Sequence, residues 1–154
     1  WQTSDPELEH RKSISSWIAH ENLNNKMPEP LNIDVTKSPW QISPRSLDSI
    51  EGIISINMIH IAPWKCTKSL FKESGKLLKD RKFLILYGPF KIENKHTCES
   101  NKLFHQSLKK QNLDWGVRNL EAVNDEAMLN GFNQKQLIEM PANNHILIYR
   151  KVSL

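Results

Sequence analysis

The sequence predicts an α/β domain, in which a mostly parallel sheet is covered by helices on both faces and finished by a C-terminal antiparallel hairpin. Two continuous apolar runs, residues 53–58 and 83–87, read as strands buried on both sides. Amphipathic stretches of helical period lie between and after them, the alternation that builds parallel sheets. Residues 136–139 and 145–150 flank Met140-Pro141-Ala142-Asn143-Asn144, and Asn tolerates the left-handed backbone of a short antiparallel connection.

The first helix is expected after Thr3-Ser4-Asp5-Pro6-Glu7, where Ser4 and Glu7 have capping-box spacing and Pro6 suits a first turn. Leu8, Ile14, Trp17 and Ile18 give it an apolar face as far as about Glu21. Residues 22–30 carry turn chemistry, residues 31–35 a short strand, and residues 46–52 a short helix or turn. Pro63 opens a helix with Cys66, Leu70, Phe71, Leu77 and Leu78 near one face. The run at 83–87 is stopped by Gly88-Pro89. Ser100 is expected to cap a helix bearing Leu103, Phe104, Ser107 and Leu108. Another helix begins near Asn119, turns Leu120, Val123, Ala127 and Met128 inward, and stops at Gly131 as a C′ glycine.

At 154 residues the chain has the size of one domain, residues 1–154. Five Trp, five Phe and many Ile and Leu exclude wholesale disorder. No apolar run approaches the ~18 residues of a membrane span, so no membrane partner is expected. The formal net charge is +4. The cations are scattered and not interleaved with aromatics, which reads as a solvated surface and not as a nucleic-acid footprint. Cys66 and Cys98 form no CxxC pair, so two free thiols in a reducing, cytoplasmic setting are expected, with no disulfide and no metal site. Residue 1 is Trp, which predicts a processed chain or a fragment.

In open α/β sheets, ligands bind outside the carboxyl ends of the strands. That rule selects Asp5, Asp34, residues 57–60 and residues 87–90. A carboxylate at Asp5 can accept two hydrogen bonds from a ribose diol, or simply cap the helix that follows. Asn57, leaving the most apolar strand, needs a polar partner, which either a ligand or the main chain supplies. His60 is the expected general base, with an ordinary pKa of about 6.5, or else a hydrogen-bonded structural residue. Tyr87, a second catalytic candidate, and Phe90 either wall an acceptor pocket or pack in the core. Trp115 and Arg118 lie between two helices. They either lid the site, with the guanidinium receiving a carboxylate or phosphate, or clamp their loop; a surface ion pair at Arg118 is the third reading.

Five strings occur in order: Trp1-Gln2-Thr3-Ser4-Asp5, Asn57-Met58-Ile59-His60-Ile61-Ala62-Pro63-Trp64, Leu86-Tyr87-Gly88-Pro89-Phe90, Asp114-Trp115-Gly116-Val117-Arg118 and Met140-Pro141-Ala142-Asn143-Asn144. Together, over essentially the whole chain, they resemble the class I S-adenosylmethionine methyltransferase-like family that includes methyltransferase-like protein 26. The resemblance implies a Rossmann-like class I methyltransferase fold, with the last of seven strands antiparallel and inserted beside the fifth. It implies S-adenosyl-L-methionine as cofactor and a small-molecule acceptor that the sequence does not identify. By resemblance, Asp5 grips the adenosine half, Asp34 bonds the adenine amino group with Val35 beside the ring, and Asn57 and Met58 line the transferred methyl. His105 and Asn119 stand where relatives usually carry Asp. A first strand and a glycine-rich loop are also implied before the Trp1 segment. The chain as given is therefore expected to be N-terminally incomplete and, alone, to bind the cofactor poorly. Two other readings stay open: an NAD(P)-type Rossmann domain, against which the hairpin around residues 140–144 argues, and a non-catalytic methyltransferase-like interaction module.

Overall fold

The computed structural model describes residues 1–43 and 49–152. The chain divides into two compact units, Trp1–Ser49 and Ile50–Leu154. Residues 46–48 of the turn expected over residues 46–52 lie outside the described residues.

In the first unit, a parallel bridge joins Ser4 to Leu31. The Leu31 N–H donates to the Thr3 carbonyl at 2.9 Å and the Asp5 N–H to the Leu31 carbonyl at 3.1 Å. Helix α1 (Leu8–His20) follows, with Glu7 as N-cap residue and no side-chain cap. The expected Ser4–Glu7 capping box does not form, because Asp5 Oδ1 takes the Glu7 N–H at 2.8 Å. Of the expected apolar face of α1, only Ile18 is buried, while Leu8 and Trp17 are exposed. The strand expected over residues 31–35 shrinks to the bridge at Leu31. Asp34 turns the chain instead: its Oδ1 accepts from the Thr36 N–H at 2.9 Å and from Thr36 Oγ1 at 2.7 Å.

The second unit contains β1 (Gly52–Ile56), α2 (Trp64–Leu77), β2 (Phe83–Gly88), β3 (Phe90–Ile92), β4 (Lys95–His96) and α3 (Glu99–Gln111). It continues with β5 (Arg118–Asn119), α4 (Leu120–Leu129), β6 (Phe132–Met140) and β7 (Asn144–Lys151). The main sheet has the order β1-β2-β7-β6. β1 and β2 are parallel, from Gly52↔Phe83 to Ile56↔Tyr87. β7 is antiparallel to both β2 and β6. Two antiparallel steps leave β6 running with β1 and β2, so only the inserted β7 opposes the common direction. This is the insertion the resemblance implied. The β6–β7 connection is a short 3-10 turn, Pro141–Asn143, in which Ala142 and Asn143 have φ of 57° and 58°.

A small second sheet, β4-β3-β5, was not expected from the sequence. Its β3–β4 hairpin turns at Glu93 and Asn94, with φ of 50° and 62°, the two successive left-handed residues of a tight hairpin.

The core lies on one face of the main sheet. Leu84, Leu86, Leu147 and Tyr149 are fully buried with Phe71 of α2 and Val123 and Ala127 of α4. The Phe71 ring meets Phe132 and Tyr149 edge-on, at centroid distances of 6.1 and 5.4 Å. The Tyr149 hydroxyl donates to Asn124 Oδ1 at 2.7 Å, so its burial leaves no unpaired polar atom.

Several apolar residues face outward against expectation. β1 is an edge strand, and its Ile54 and Ile56 are 41% and 63% exposed, so the strand is not buried on both sides. α3 starts at Glu99 with Cys98 as N-cap, so Ser100 sits inside the helix. It turns Asn101 and Leu108 inward and leaves Leu103 and Phe104 exposed; Met128 of α4 is exposed as well. Among the described residues, no helix is long and apolar enough to cross a membrane.

Candidate functional site

The parallel pairing of β1 and β2 brings their carboxyl ends together. Just past β1, Asn57 adopts a left-handed conformation, with φ of 57°. Its N–H donates to the Tyr87 carbonyl at 2.9 Å, and its carbonyl accepts from the His60 N–H at 3.0 Å. A single 3-10 turn, Met58–His60, results. The main chain thus supplies backbone partners for Asn57, whose left-handed geometry few other residues adopt cheaply.

At the end of β2, Gly88 has φ of 154°. A Cβ on Gly88 would stand 2.5 Å from His60 Nε2 and 2.9 Å from Asn57 Oδ1. The strand end therefore presses bare backbone against the imidazole. His60 is fully buried, and neither ring nitrogen has a hydrogen-bond partner among the described residues. Phe90 meets its ring edge-on at 5.1 Å and also faces His145 at 6.4 Å. Burial and, after it, the Arg118 charge lower the His60 pKa to about 3. An ordinary imidazole pKa near 6.5 is thus not what the fold provides. Phe90 is fully buried, the core-packing alternative, while Tyr87 is half-buried.

Arg118 clamps loops to one another. Its Nε donates to the Ile59 carbonyl at 2.8 Å, and its Nη2 to the carbonyls of Ala62 at 2.5 Å and Asp114 at 2.8 Å. The guanidinium lies 5.7 Å from the centroid of the Trp64 ring. The Gly116 N–H ties the same loop to the His60 carbonyl at 2.8 Å. Trp115, next in that loop, is half-buried.

Asn57, Met58, His60, Tyr87, Phe90 and Arg118 therefore gather at one end of the main sheet. Asp5, Asp34 and Val35 belong to the first unit, where both carboxylates follow the Ser4–Leu31 bridge. Asp5 Oδ1 also lies 3.2 Å from His10 Nδ1. Hydrogen bonds from Thr36 and, less, the Lys37 charge hold the Asp34 carboxyl below its usual pKa. Among the described residues, no group of three His, Cys, Asp or Glu is placed to hold a metal ion.

A cavity of about 370 Å³ is lined by residues that include Trp64, Lys91, His105, Lys109, Gly116 and Arg118. Arg118 was a candidate site residue, Trp64 and Gly116 lie in two of the motif strings, and His105 was noted where relatives usually carry Asp, but no motif in the sequence joined them to Lys91 and Lys109. The i,i+4 spacing of His105 and Lys109 on α3 is the one local signal that two of these side chains share a face.

The sequence profile of a family described as "Protein of unknown function (DUF938)" matches residues 1–151. The chain belongs to this family. The fold of this DUF938 member is also that of solved O-methyltransferases. It superposes on an O-methyltransferase family protein from Burkholderia thailandensis with a TM-score of 0.76 and 10% identity, over 99% of this chain and 43% of that one. An O-methyltransferase family 2 protein from Planctomyces limnophilus, solved in complex with apigenin, matches at TM-score 0.75 and 15% identity, over 98% and 42% of the two chains. Human N-acetylserotonin methyltransferase, solved in complex with SAM, matches at TM-score 0.67 and 14% identity, over 89% and 38%. At these identities the likeness is one of fold, the Rossmann-like methyltransferase fold. The DUF938 chain spans about two fifths of the length of these structures.

Proposed function

We propose that this DUF938 chain is, or is part of, a cytoplasmic S-adenosylmethionine-dependent methyltransferase with a small-molecule acceptor. The observation that carries the reading is the strand order β1-β2-β7-β6 with β7 inverted, in a chain that superposes on O-methyltransferases over nearly its whole length. A neighbour solved with SAM and another solved with apigenin support the cofactor and the acceptor class. The five sequence strings support the narrower kinship with the family of methyltransferase-like protein 26.

The two carboxylates of the first unit support the cofactor reading. Asp5 spends Oδ1 on the chain turn and, among the described residues, Oδ2 accepts no hydrogen bond, which leaves an oxygen for a ribose hydroxyl. Asp34 stays ionised, as an acceptor for an amino group must. When bound, S-adenosylmethionine supplies an electrophilic methyl on a sulfonium, so the protein's work is binding and orientation. In this reading Asp5, Asp34 and Val35 hold the adenosine, and Asn57 and Met58 border the methyl. Tyr87, Trp115 and Arg118 shape the acceptor side. His60 and Phe90 act from beneath, His60 holding Asn57 and Gly88 in place through packing.

Titration calorimetry of the full-length protein with S-adenosylhomocysteine tests this. Binding is expected, and Asp34→Asn, which keeps an acceptor for the Thr36 turn, is expected to weaken it by about 1–3 kcal/mol. No binding by the unsubstituted protein would sink the reading.

A further inference from the structure

The cavity at the end of the main sheet has an unbalanced charge. Its lining includes Lys91, Lys109 and Arg118, one imidazole from His105, and no carboxylate. Five segments converge to build it: the start of α2 at Trp64, β3 at Lys91, one face of α3 at His105 and Lys109, the stretch from Gly116 through β5, and the first turn of α4 at Ala122. The convergence is close. Lys91 and Lys109 both make the His105 imidazole harder to protonate, after burial, and Lys91 does the same to His96. The two imidazoles stack edge-on at 5.0 Å. A Cβ at Gly116 would stand 2.8 Å from His105 Cε1 and 3.3 Å from Lys109 Cε, so a bare backbone is what admits these side chains.

None of the three cations has a carboxylate partner among the described residues. Lys109 Nζ donates to the Leu113 carbonyl, and Arg118 to three carbonyls. Among the described residues, Lys91 has neither an ion pair nor a side-chain hydrogen bond. The acids nearby are engaged elsewhere or lie outside the lining. Glu121 accepts from the Glu93 N–H at 3.0 Å, Glu99 bridges Lys102, and Asp114 acts on Arg118 from its own loop. His105 Nδ1 is buried and, among the described residues, has no hydrogen bond of good geometry, with the Val117 main chain as the polar neighbour that acts on the ring. Gathering like charges around a recess costs free energy unless an anion offsets it, and a low-dielectric recess focuses the resulting positive potential.

From this arrangement we infer that the cavity binds the oxyanion of a small molecule, a carboxylate or a phosphate ester. A volume of about 370 Å³ suits a metabolite-sized ligand. A polymer backbone would call instead for a continuous basic track, and the remaining cations are scattered along the sequence. The inference stands without the methyltransferase reading; where both hold, the acceptor is an anion.

Calorimetry and imidazole proton NMR on the full-length protein, without cofactor and at fixed ionic strength, test the cavity. The probes are inorganic phosphate, benzoate, uncharged benzamide and a short single-stranded oligonucleotide. Phosphate or benzoate is expected to bind and to shift the His105 resonances, while benzamide does neither. Lys91→Gln is expected to weaken anion binding about tenfold, the loss of one charge-assisted contact. Lys110→Gln, an exposed change of the same charge on α3, leaves it within about twofold by the usual weakness of surface charges. Lys109→Gln repeats the first comparison should Lys91→Gln unfold. The inference is overturned if neither anion binds, if the cavity and surface variants weaken binding equally, or if the oligonucleotide binds far more tightly and is insensitive to Lys91. Cofactor binding is read in a separate titration, so either proposal can fail alone.

Discussion

Gly88 and His60 are locked together: a Cβ at residue 88 would come within 2.5 Å of His60 Nε2 and 2.8 Å of its Cδ2. The imidazole is fully buried and cannot swing aside. Gly88 also holds a φ of 154°, which L side chains rarely adopt. Gly88→Ala is therefore expected to destabilise the protein by about 1–3 kcal/mol through overpacking, with backbone strain added. Urea denaturation reads this directly, and an unchanged midpoint would show that the two residues are not so close.

The same burial makes stability depend on pH. The unfolded imidazole titrates near 6.5, the folded one at about 3. Below pH 6.5 the unfolded chain therefore takes up a proton that the folded chain refuses. His60 contributes fully to stability above that pH, and the contribution is lost as pH falls toward 3. Between pH 7.5 and pH 5 the loss is on the order of 2 kcal/mol from this group. In NMR, the His60 ring should show no titration down to pH 4.5. A midpoint near 6.5 would contradict the burial.

Arg118 bonds three main-chain carbonyls from two loops. Lysine has charge but no fork, and its ammonium cannot reach all three in the same geometry. Arg118→Lys is expected to cost about 1.5–3 kcal/mol in urea denaturation, the worth of a charge-assisted hydrogen bond. Full retention of stability would mean that charge alone holds these loops.

Gly75 lies within α2, where alanine ordinarily stabilises by up to about 1 kcal/mol. Here a Cβ would stand 2.8 Å from the Asn130 carbonyl oxygen. Overpacking against backbone costs about 1–3 kcal/mol and outweighs the propensity gain. Gly75→Ala should thus lower the melting temperature. A rise would show that α2 has room to shift away from Asn130.

The two thiols should separate by reactivity. Cys66 is buried, whereas Cys98 lies at the start of α3, half-buried, with its pKa lowered by hydrogen bonds from Ser100 and from the Asn101 main chain. A thiol reagent at neutral pH is expected to modify one equivalent rapidly, mapped to Cys98 by mass spectrometry. Cys66 should react only on unfolding; prompt double labelling would put it at the surface.

Much of the fold was legible, and for a physical reason. The runs 53–58 and 83–87 are long enough for period and composition to agree, and both became strands within two residues of the expected ends. The hairpin around Pro141 was marked by its own turn residues. The β3–β4–β5 sheet was not legible, because strands of two or three residues carry no period. Outward apolar residues such as Ile56, Phe104 and Met128 were misplaced because the sequence gives a face but not what covers it. At the site, chain order led to Asn57, His60, Tyr87 and Arg118, each just past a strand or between helices. The basic cavity escaped notice because Lys91, His105, Lys109 and Arg118 meet only after β3, α3 and β5 have folded together.

The place of β7 has a consequence for how the chain is made. β2 and β6 never touch; each meets β7, and β2 waits for partners roughly 60 residues later in the sequence. On a ribosome adding about 5–20 residues each second, the flank of β2 that β7 will cover stays bare for several seconds after β2 emerges. Through that interval the nascent Leu84 and Leu86 are clients for whatever chaperone reads exposed apolar strands. The sheet is thus closed from the middle outward, by a strand that emerges after both of its neighbours.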